Sequence, residues 1–221
     1  GESMGSLAHR VFLDASIYTS LNNLTLRVFN GTTQIDHVIV SKFGIFVVEA
    51  KNIDGWIFGD AKAPQWSVVK PGRKYRIQNP LHQNYRHVCA IRDFLKVEES
   101  KLHSVVMFWG DCEFKTPMPP NVISTGYTTY IKSFGKVVFT DQEVLSAVEA
   151  LRTGSLPKTW ETRRAHLASL DARHANTTTC PKCGGALVVR TAKTGPNMGS
   201  KFFGCSAYPK CRHTAPYSIT N

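Results

Sequence analysis

Acidic residues are scarce in this chain, and over its last stretch they are missing. Across 221 residues, 16 Asp and Glu stand against 27 Lys and Arg, a formal net charge of +11. Between residues 174 and 221 the bases Lys182, Arg190, Lys193, Lys201, Lys210 and Arg212 occur with no Asp or Glu among them. Such an excess points to a polyanionic partner, because Lys and Arg displace counterions condensed on a phosphate backbone. A tail without a single acid is hard to explain as a solubility device. No apolar run reaches the roughly 18 residues a membrane span needs, so no membrane partner is expected. No signal peptide and no internal repeat is visible. Cysteine is sparse: of six, Cys180, Cys183, Cys205 and Cys211 have metal-ligand spacing, and Cys89 and Cys112 read as small buried apolar residues. This usage predicts a reducing compartment, the cytoplasm.

What is present suits one medium domain and a small one, with 42% apolar residues to build a core. The pattern predicts a helix over residues 2–13 and strands over 20–28, 34–40 and 45–51. Short strands follow at 56–58, 66–69 and 75–77. Asn79-Pro80 predicts a capped helix running to about residue 96. Further strands are expected at 104–109 and 136–139, and Asp141 is expected to cap a helix to about 152. Strands and helices alternate irregularly, which predicts an α/β domain with a mixed sheet over residues 1–152. A polar helical connector is expected over 153–175, and a separate unit over 176–221.

The segment Gln34-Ile-Asp-His-Val-Ile-Val-Ser-Lys-Phe-Gly-Ile-Phe-Val-Val-Glu-Ala-Lys51 carries the most chemistry. A hairpin turning through Lys42-Phe43 puts Asp36 directly opposite Glu49, with Lys51 two residues on and on the same sheet face. Like charges facing one another on a strand pair are destabilising, so something must compensate. A divalent cation does so, Mg²⁺ or Mn²⁺ being the hard, oxygen-seeking choice; a structural salt bridge to Lys51 is the alternative. A three-residue loop would send the two acids to opposite faces and remove the site. With a metal held by Asp36 and Glu49, and the Ala50 carbonyl as a possible third ligand, the predicted chemistry is phosphodiester hydrolysis, Lys51 orienting water or stabilising charge on the phosphate. His37 should point to the other face.

Asp36 followed by Glu49-Ala50-Lys51 resembles the acid, then acid-x-Lys core of the restriction-endonuclease-like superfamily. Gly1-Glu2, Thr33-Gln-Ile-Asp-His37, Gly44-Ile-Phe-Val-Val-Glu-Ala-Lys-Asn52, Gly55-Trp-Ile-Phe-Gly59 and Asn79-Pro-Leu-His-Gln-Asn84, in that order, resemble the nuclease-related domain family. The resemblance covers roughly residues 1–135. It implies a restriction-endonuclease-like mixed β-sheet flanked by helices, Glu2 as an additional metal ligand, and Gln83 near the scissile phosphate. Glu2 also reads as a helix-start acid favoured by the dipole. His87 shares a helical face with Gln83 but reads as a surface histidine. Ile35, where the superfamily's fuller pattern has Pro, is a departure.

Cys180-Pro-Lys-Cys183 and Cys205-Ser-Ala-Tyr-Pro-Lys-Cys211 are two thiolate pairs separated by 21 residues. Two such knuckles close a tetrahedral Cys₄ site for one structural Zn²⁺, which a unit this small needs in order to fold. A disulfide pair and an iron–sulfur site are the weaker alternatives. The stretches Cys180-Pro-Lys-Cys-Gly-Gly-Ala-Leu-Val-Val-Arg190 and Gly199-Ser-Lys-Phe-Phe-Gly-Cys-Ser-Ala-Tyr-Pro-Lys-Cys211 resemble the C-terminal zinc ribbon of bacterial type IA DNA topoisomerases. That resemblance implies binding to single-stranded DNA. Arg190, Lys193, Lys201, Lys210 and Arg212 supply charge, and Phe202 and Tyr208 supply stacking surfaces. One of Phe202 and Phe203 is expected in the ribbon's core. The expected function is a Mg²⁺- or Mn²⁺-dependent deoxyribonuclease acting on single-stranded or branched DNA; the alternatives are a DNA-binding protein that keeps the fold without cutting, and an RNA-directed enzyme.

Overall fold

A computed structural model describes residues 13–28, 31–175, 179–194 and 197–217. Glu2 and the helix expected over its neighbours lie outside the described residues. Strands β1 (Thr19–Val28), β2 (Gly31–Ser41) and β3 (Gly44–Lys51) form an antiparallel meander. β3 then pairs in parallel with β7 (Leu102–Phe108), and β7 with the short β9 (Val122–Ile123), giving the sheet order β1-β2-β3-β7-β9. The sheet is mixed, as the alternation of elements predicts. β3 reads Gly-Ile-Phe-Val-Val-Glu-Ala-Lys and is buried on both faces from Gly44 to Glu49. Such an unbroken apolar run is the mark of a strand covered on both sides.

One cover is helix α1 (Pro80–Leu95), aided by α3 (Asp141–Gly154); Val88, Ile91, Val148 and Leu151 meet Val38, Val47 and Leu26. The other cover includes α2 (Tyr127–Lys132), whose Tyr127 and Ile131 meet Phe46, Val48 and Met107. A second sheet, β6-β5-β4-β8, is built from β4 (Gly55–Phe58), β5 (Gln65–Lys70), β6 (Arg73–Gln78) and β8 (Cys112–Phe114). Trp66 stacks on Phe108 at 6.2 Å between ring centres and ties this sheet to β7.

Two polar side chains fix α1 in place. Asn79 caps it through Leu81 N–H at 2.9 Å, while its amide donates to the carbonyls of Asp60, Ala61 and Ala63. Asn84, fully buried, donates to Val47 O at 2.8 Å, Val105 O at 3.0 Å and Ser104 Oγ at 2.9 Å, and so bonds the helix to both central strands.

Residues 136–139 do not form a strand. Val138 N–H and Phe139 N–H both donate to Lys42 O, and Phe139 is buried. The apolar run is an extended strap over the β2–β3 turn, with no ladder partner. Thr140, not Asp141, caps α3, in a capping box with Glu143. Helix α4 (Trp160–Ala175) lies against β2, with Thr32 Oγ1 3.0 Å from His166 Nδ1. The last sheet joins β10 (Leu187–Thr191), β11 (Lys201–Cys205) and β12 (Thr214–Pro216) in antiparallel order. No helix among the described residues is long and apolar enough to cross a membrane.

Candidate functional site

The hairpin turns through two residues, Lys42 and Phe43, with Ser41 pairing Gly44. Gly44 has φ +138, and a Cβ there would meet the His103 ring at 2.5 Å, so the turn's exit needs glycine. The register holds to His37↔Val48, one step short of Asp36 facing Glu49. There the ladder stops: Asp36 Oδ2 takes the Ala50 N–H at 2.8 Å.

The interruption is a local break in the pairing with no residue inserted on either strand. On the β1 side, Asn22 pairs His37 and Leu24 pairs Ile35, while Asn23 has a left-handed φ of 54. Ile35 and Val38 consequently enter the same core cluster although they are three residues apart. Strict alternation would have put them on opposite faces; the break shifts the alternation of β2 by one position. Thr33 thereby comes onto the side where α1 lies, where Asp36 already stands in alternation with Val38.

Four further side chains close around Glu49, which is 2% exposed. Its Oε1 receives Lys51 Nζ at 2.5 Å, and Lys51 Nζ also donates to Gln83 Oε1 at 3.0 Å. Glu49 Oε2 lies 3.2 Å from His87 Nε2, a close charge contact without good hydrogen-bond alignment. His87 Nδ1 meets Thr33 Oγ1 at 2.9 Å. Asp36, Glu49, Lys51 and Gln83 are thus brought together. His87 is buried rather than on the surface: its helical position did not reveal that β2 covers it. The only sequence signal for His87 was its spacing from Gln83, and Thr33 gave none. His37 is buried apart from the group, its Nδ1 2.8 Å from Asn22 Oδ1.

The two carboxylates are electrostatically unequal. Asp36 is pushed up to about 6, first by burial and then by the charge of Glu49, against the pull of the Ala50 N–H, His87 and Lys51. Burial pushes Glu49 up too, but the His87 contact and the Lys51 ammonium outweigh it and hold Glu49 below its ordinary value. Asp36 Oδ1 has no partner among the described residues. The pair offers carboxylate oxygens at a place where one negative charge is poorly compensated, which fits a hard divalent cation.

The four cysteines meet as their spacing predicts. Their sulfurs all lie within 4.8 Å of one another, with Cys180–Cys211 at 3.7 Å and Cys183–Cys205 at 3.3 Å. Four thiolates about 2.3 Å from a tetrahedral Zn²⁺ stand about 3.8 Å apart, so the set fits a structural zinc. None of the four is in a disulfide. Without a cation, burial pushes the Cys211 thiol up to about 12, so a metal is what keeps such groups as thiolates. Tight turns shape the knuckles: Gly184 N–H donates to Cys180 O, and Cys211 N–H to Ala207 O.

Beside the ribbon's cysteines, Arg190, Lys193, Phe202, Tyr208 and Arg212 line one groove of about 500 Å³. Phe202 pairs with Arg190 across the strands, and the Arg190 guanidinium lies 5.6 Å from the centre of the Tyr208 ring. A Cβ at residue 204 would meet Arg190 Cδ at 2.6 Å, so Gly204 lets the arginine cross β11. Phe203 faces the other way and packs on Tyr217, ring centres 5.2 Å apart; both phenylalanines are half-buried. Lys201 and Lys210 are not in this groove. Lys201 lies over Tyr217, and Lys210 lines a cleft toward Tyr85 and Arg86 of α1.

Comparison with known proteins finds two matching stretches in the chain. Residues 5–109 match the family model for the nuclease-related domain, and residues 177–218 match that for the topoisomerase DNA binding C4 zinc finger. An uncharacterized protein of Bacillus anthracis is 40% identical over 104 residues, covering 47% of this chain and 49% of that one. The uncharacterized protein YrdD of Escherichia coli is 49% identical over 41 residues, 19% of this chain and 20% of its own. DNA topoisomerase 1 of Archaeoglobus fulgidus is 54% identical over 37 residues, 17% of this chain and 5% of its own. The chain thus spans about half the length of the first of these relatives and less of the others. No solved structure matches it significantly. A stretch similar to the nuclease-related domain is thus followed by one similar to the topoisomerase C4 zinc finger.

Proposed function

We propose that this protein is a divalent-metal-dependent nuclease that hydrolyses phosphodiester bonds in DNA, with the zinc ribbon holding a single strand nearby. The observation that carries the reading is the meeting of Asp36, Glu49, Lys51 and Gln83 at the end of one hairpin, beyond its last paired residues. A structural ion pair needs one acid and one base; it has no use for a second buried acid raised to about 6.

Asp36 and Glu49 are the residues that would hold Mg²⁺ or Mn²⁺. Such a cation, when bound, neutralises the two carboxylates, polarises a phosphodiester oxygen and acidifies water. The chain's own residues do the rest. Lys51, steadied between Glu49 and Gln83, presents an ammonium that orients water and offsets the negative charge growing on the phosphate. Gln83 keeps Lys51 in place, its carbonyl accepting from the ammonium. His87 is a positioning residue: with its proton on Nε2 facing Glu49, its Nδ1 accepts from the Thr33 hydroxyl, which fixes both the tautomer and the carboxylate's orientation. In the ribbon, the charges of Arg190, Lys193 and Arg212 meet phosphates while Phe202 and Tyr208 stack on unpaired bases.

The test is incubation of the purified protein with labelled single-stranded, duplex and branched DNA, with and without Mg²⁺ or Mn²⁺. Cleavage should require the cation and fall at least about 100-fold in each of Asp36→Ala, Glu49→Ala and Lys51→Ala. Cleavage that survives in all three variants rules the site out.

A further inference from the structure

A second basic groove lies on the face of β2 away from α1. It has a volume of about 450 Å³ and runs between α4 and the β1–β2 pair, lined by Asn23, Gln34, Lys158, Thr162, Arg163 and His166 among others. Among the described residues no acidic side chain lines it. Lys158 and Arg163 are both exposed, and neither has an ion-pair partner among the described residues. His166 is held by Thr32 Oγ1 at 3.0 Å, so the ring is fixed at the groove's wall.

The groove's position matters as much as its charge. Asn23 is the β1 residue left out of the ladder opposite Asp36, and Gln34 stands two residues before Asp36. One end of the groove therefore meets the break in β1–β2 pairing at Asn23 and Asp36, on the sheet face opposite the carboxylate. Its chemistry also differs from that of the ribbon groove. The ribbon offers Phe202 and Tyr208 to unpaired bases; here the lining is cations, hydroxyls and amides, with no Phe, Tyr or Trp. Hydroxyls, amides and unpaired cations contact phosphate and sugar, and no Phe, Tyr or Trp is present here to stack on an unpaired base. That combination suits a backbone whose bases are already paired.

We propose that the α4 groove docks the phosphodiester backbone of duplex nucleic acid, on the sheet face opposite the Asp36 carboxylate. The chain would then grip a substrate at two places, paired backbone on α4 and an unpaired strand on the ribbon. The proposal deepens the nuclease reading and rests on it for its purpose, but binding is measurable without cutting.

The experiment is fluorescence anisotropy of the full zinc-loaded chain on a short labelled duplex and on its single strand, without Mg²⁺ or Mn²⁺, over a salt series. The double variant Lys158→Ala/Arg163→Ala should lower duplex affinity about tenfold at low salt and reduce the salt dependence by about two released counterions. Single-strand binding should change less than about twofold. The charge-preserving pair Lys158→Arg/Arg163→Lys should restore the duplex slope, which a folding defect could not do. A duplex affinity and slope that stay at parental values overturn the proposal, as does a single-strand loss as large as the duplex loss. Because no divalent cation is present, either result stands whether or not the protein cuts.

Discussion

Asp36 is the residue at which a measurement on the metal-free protein speaks to chemistry. Its folded-state value is about 6, against 3.8 for the unperturbed acid. A raised acid binds its proton more tightly in the folded than in the unfolded chain. The metal-free protein should therefore lose stability as pH rises from about 4 to about 6, by on the order of 3 kcal/mol from this group. Asp36→Asn, whose amide oxygen can still accept the Ala50 N–H, should raise the melting temperature at pH 7 and have little effect at pH 4. Glu49 should behave in the opposite sense, since its value is lowered by His87 and Lys51 and its stabilisation is lost as pH falls into the acid range. His87→Ala should weaken Mn²⁺ binding about 10- to 100-fold, as loss of a ligand's supporting partner does elsewhere. His87→Gln, able to donate to Glu49, should recover part of it; a calorimetric titration at pH 7 checks both.

At the scale of elements, the hairpin and α1 divide the work. β2 and β3 bring the acids together, and α1 brings Gln83 and His87 over them. Asn84 is the bond between the two: replacing it by Ala strands the Val47 and Val105 carbonyls and should cost about 2–4 kcal/mol in a urea melt. It should also depress cleavage, because the helix that carries Gln83 loses its register on the sheet. Much of this was legible beforehand. The turn supposed at Lys42-Phe43, rather than a three-residue loop, is the one observed and sets the register, and Asn79-Pro80 gave the start of α1. The break at Asn23 and Asp36 was not read from the sequence, although Ile35 and Val38, three apart with Asp36 and His37 between them, depart from alternation. His87 escaped because an amphipathic pattern says which face of a helix is covered, not that a threonine two strands away in the sheet will meet it. Residues 136–139 look like a strand locally, but a strand needs a neighbour, and here the chain meets only one carbonyl at a turn.

In the whole molecule, two units of different physical origin share one chain. The first is held by a mixed sheet covered on both faces; the second has little core beyond Leu187 and its own cysteines. Zinc should therefore be a folding requirement for the ribbon alone. Cys180→Ser/Cys183→Ser should eliminate one bound zinc per chain, as counted by elemental analysis, and should weaken single-strand binding at least tenfold while the main unfolding transition stays in place. Loss of both transitions together would show that the ribbon also supports the sheet. The central claim is narrower than any of these: Asp36 and Glu49, brought side by side by the register of a two-residue turn, share one divalent cation. The most direct measurement is a calorimetric Mn²⁺ titration of the zinc-loaded chain. The account predicts one Mn²⁺ site in the parent protein, absent from both Asp36→Ala and Glu49→Ala. Equal Mn²⁺ binding by the parent and both variants would contradict it.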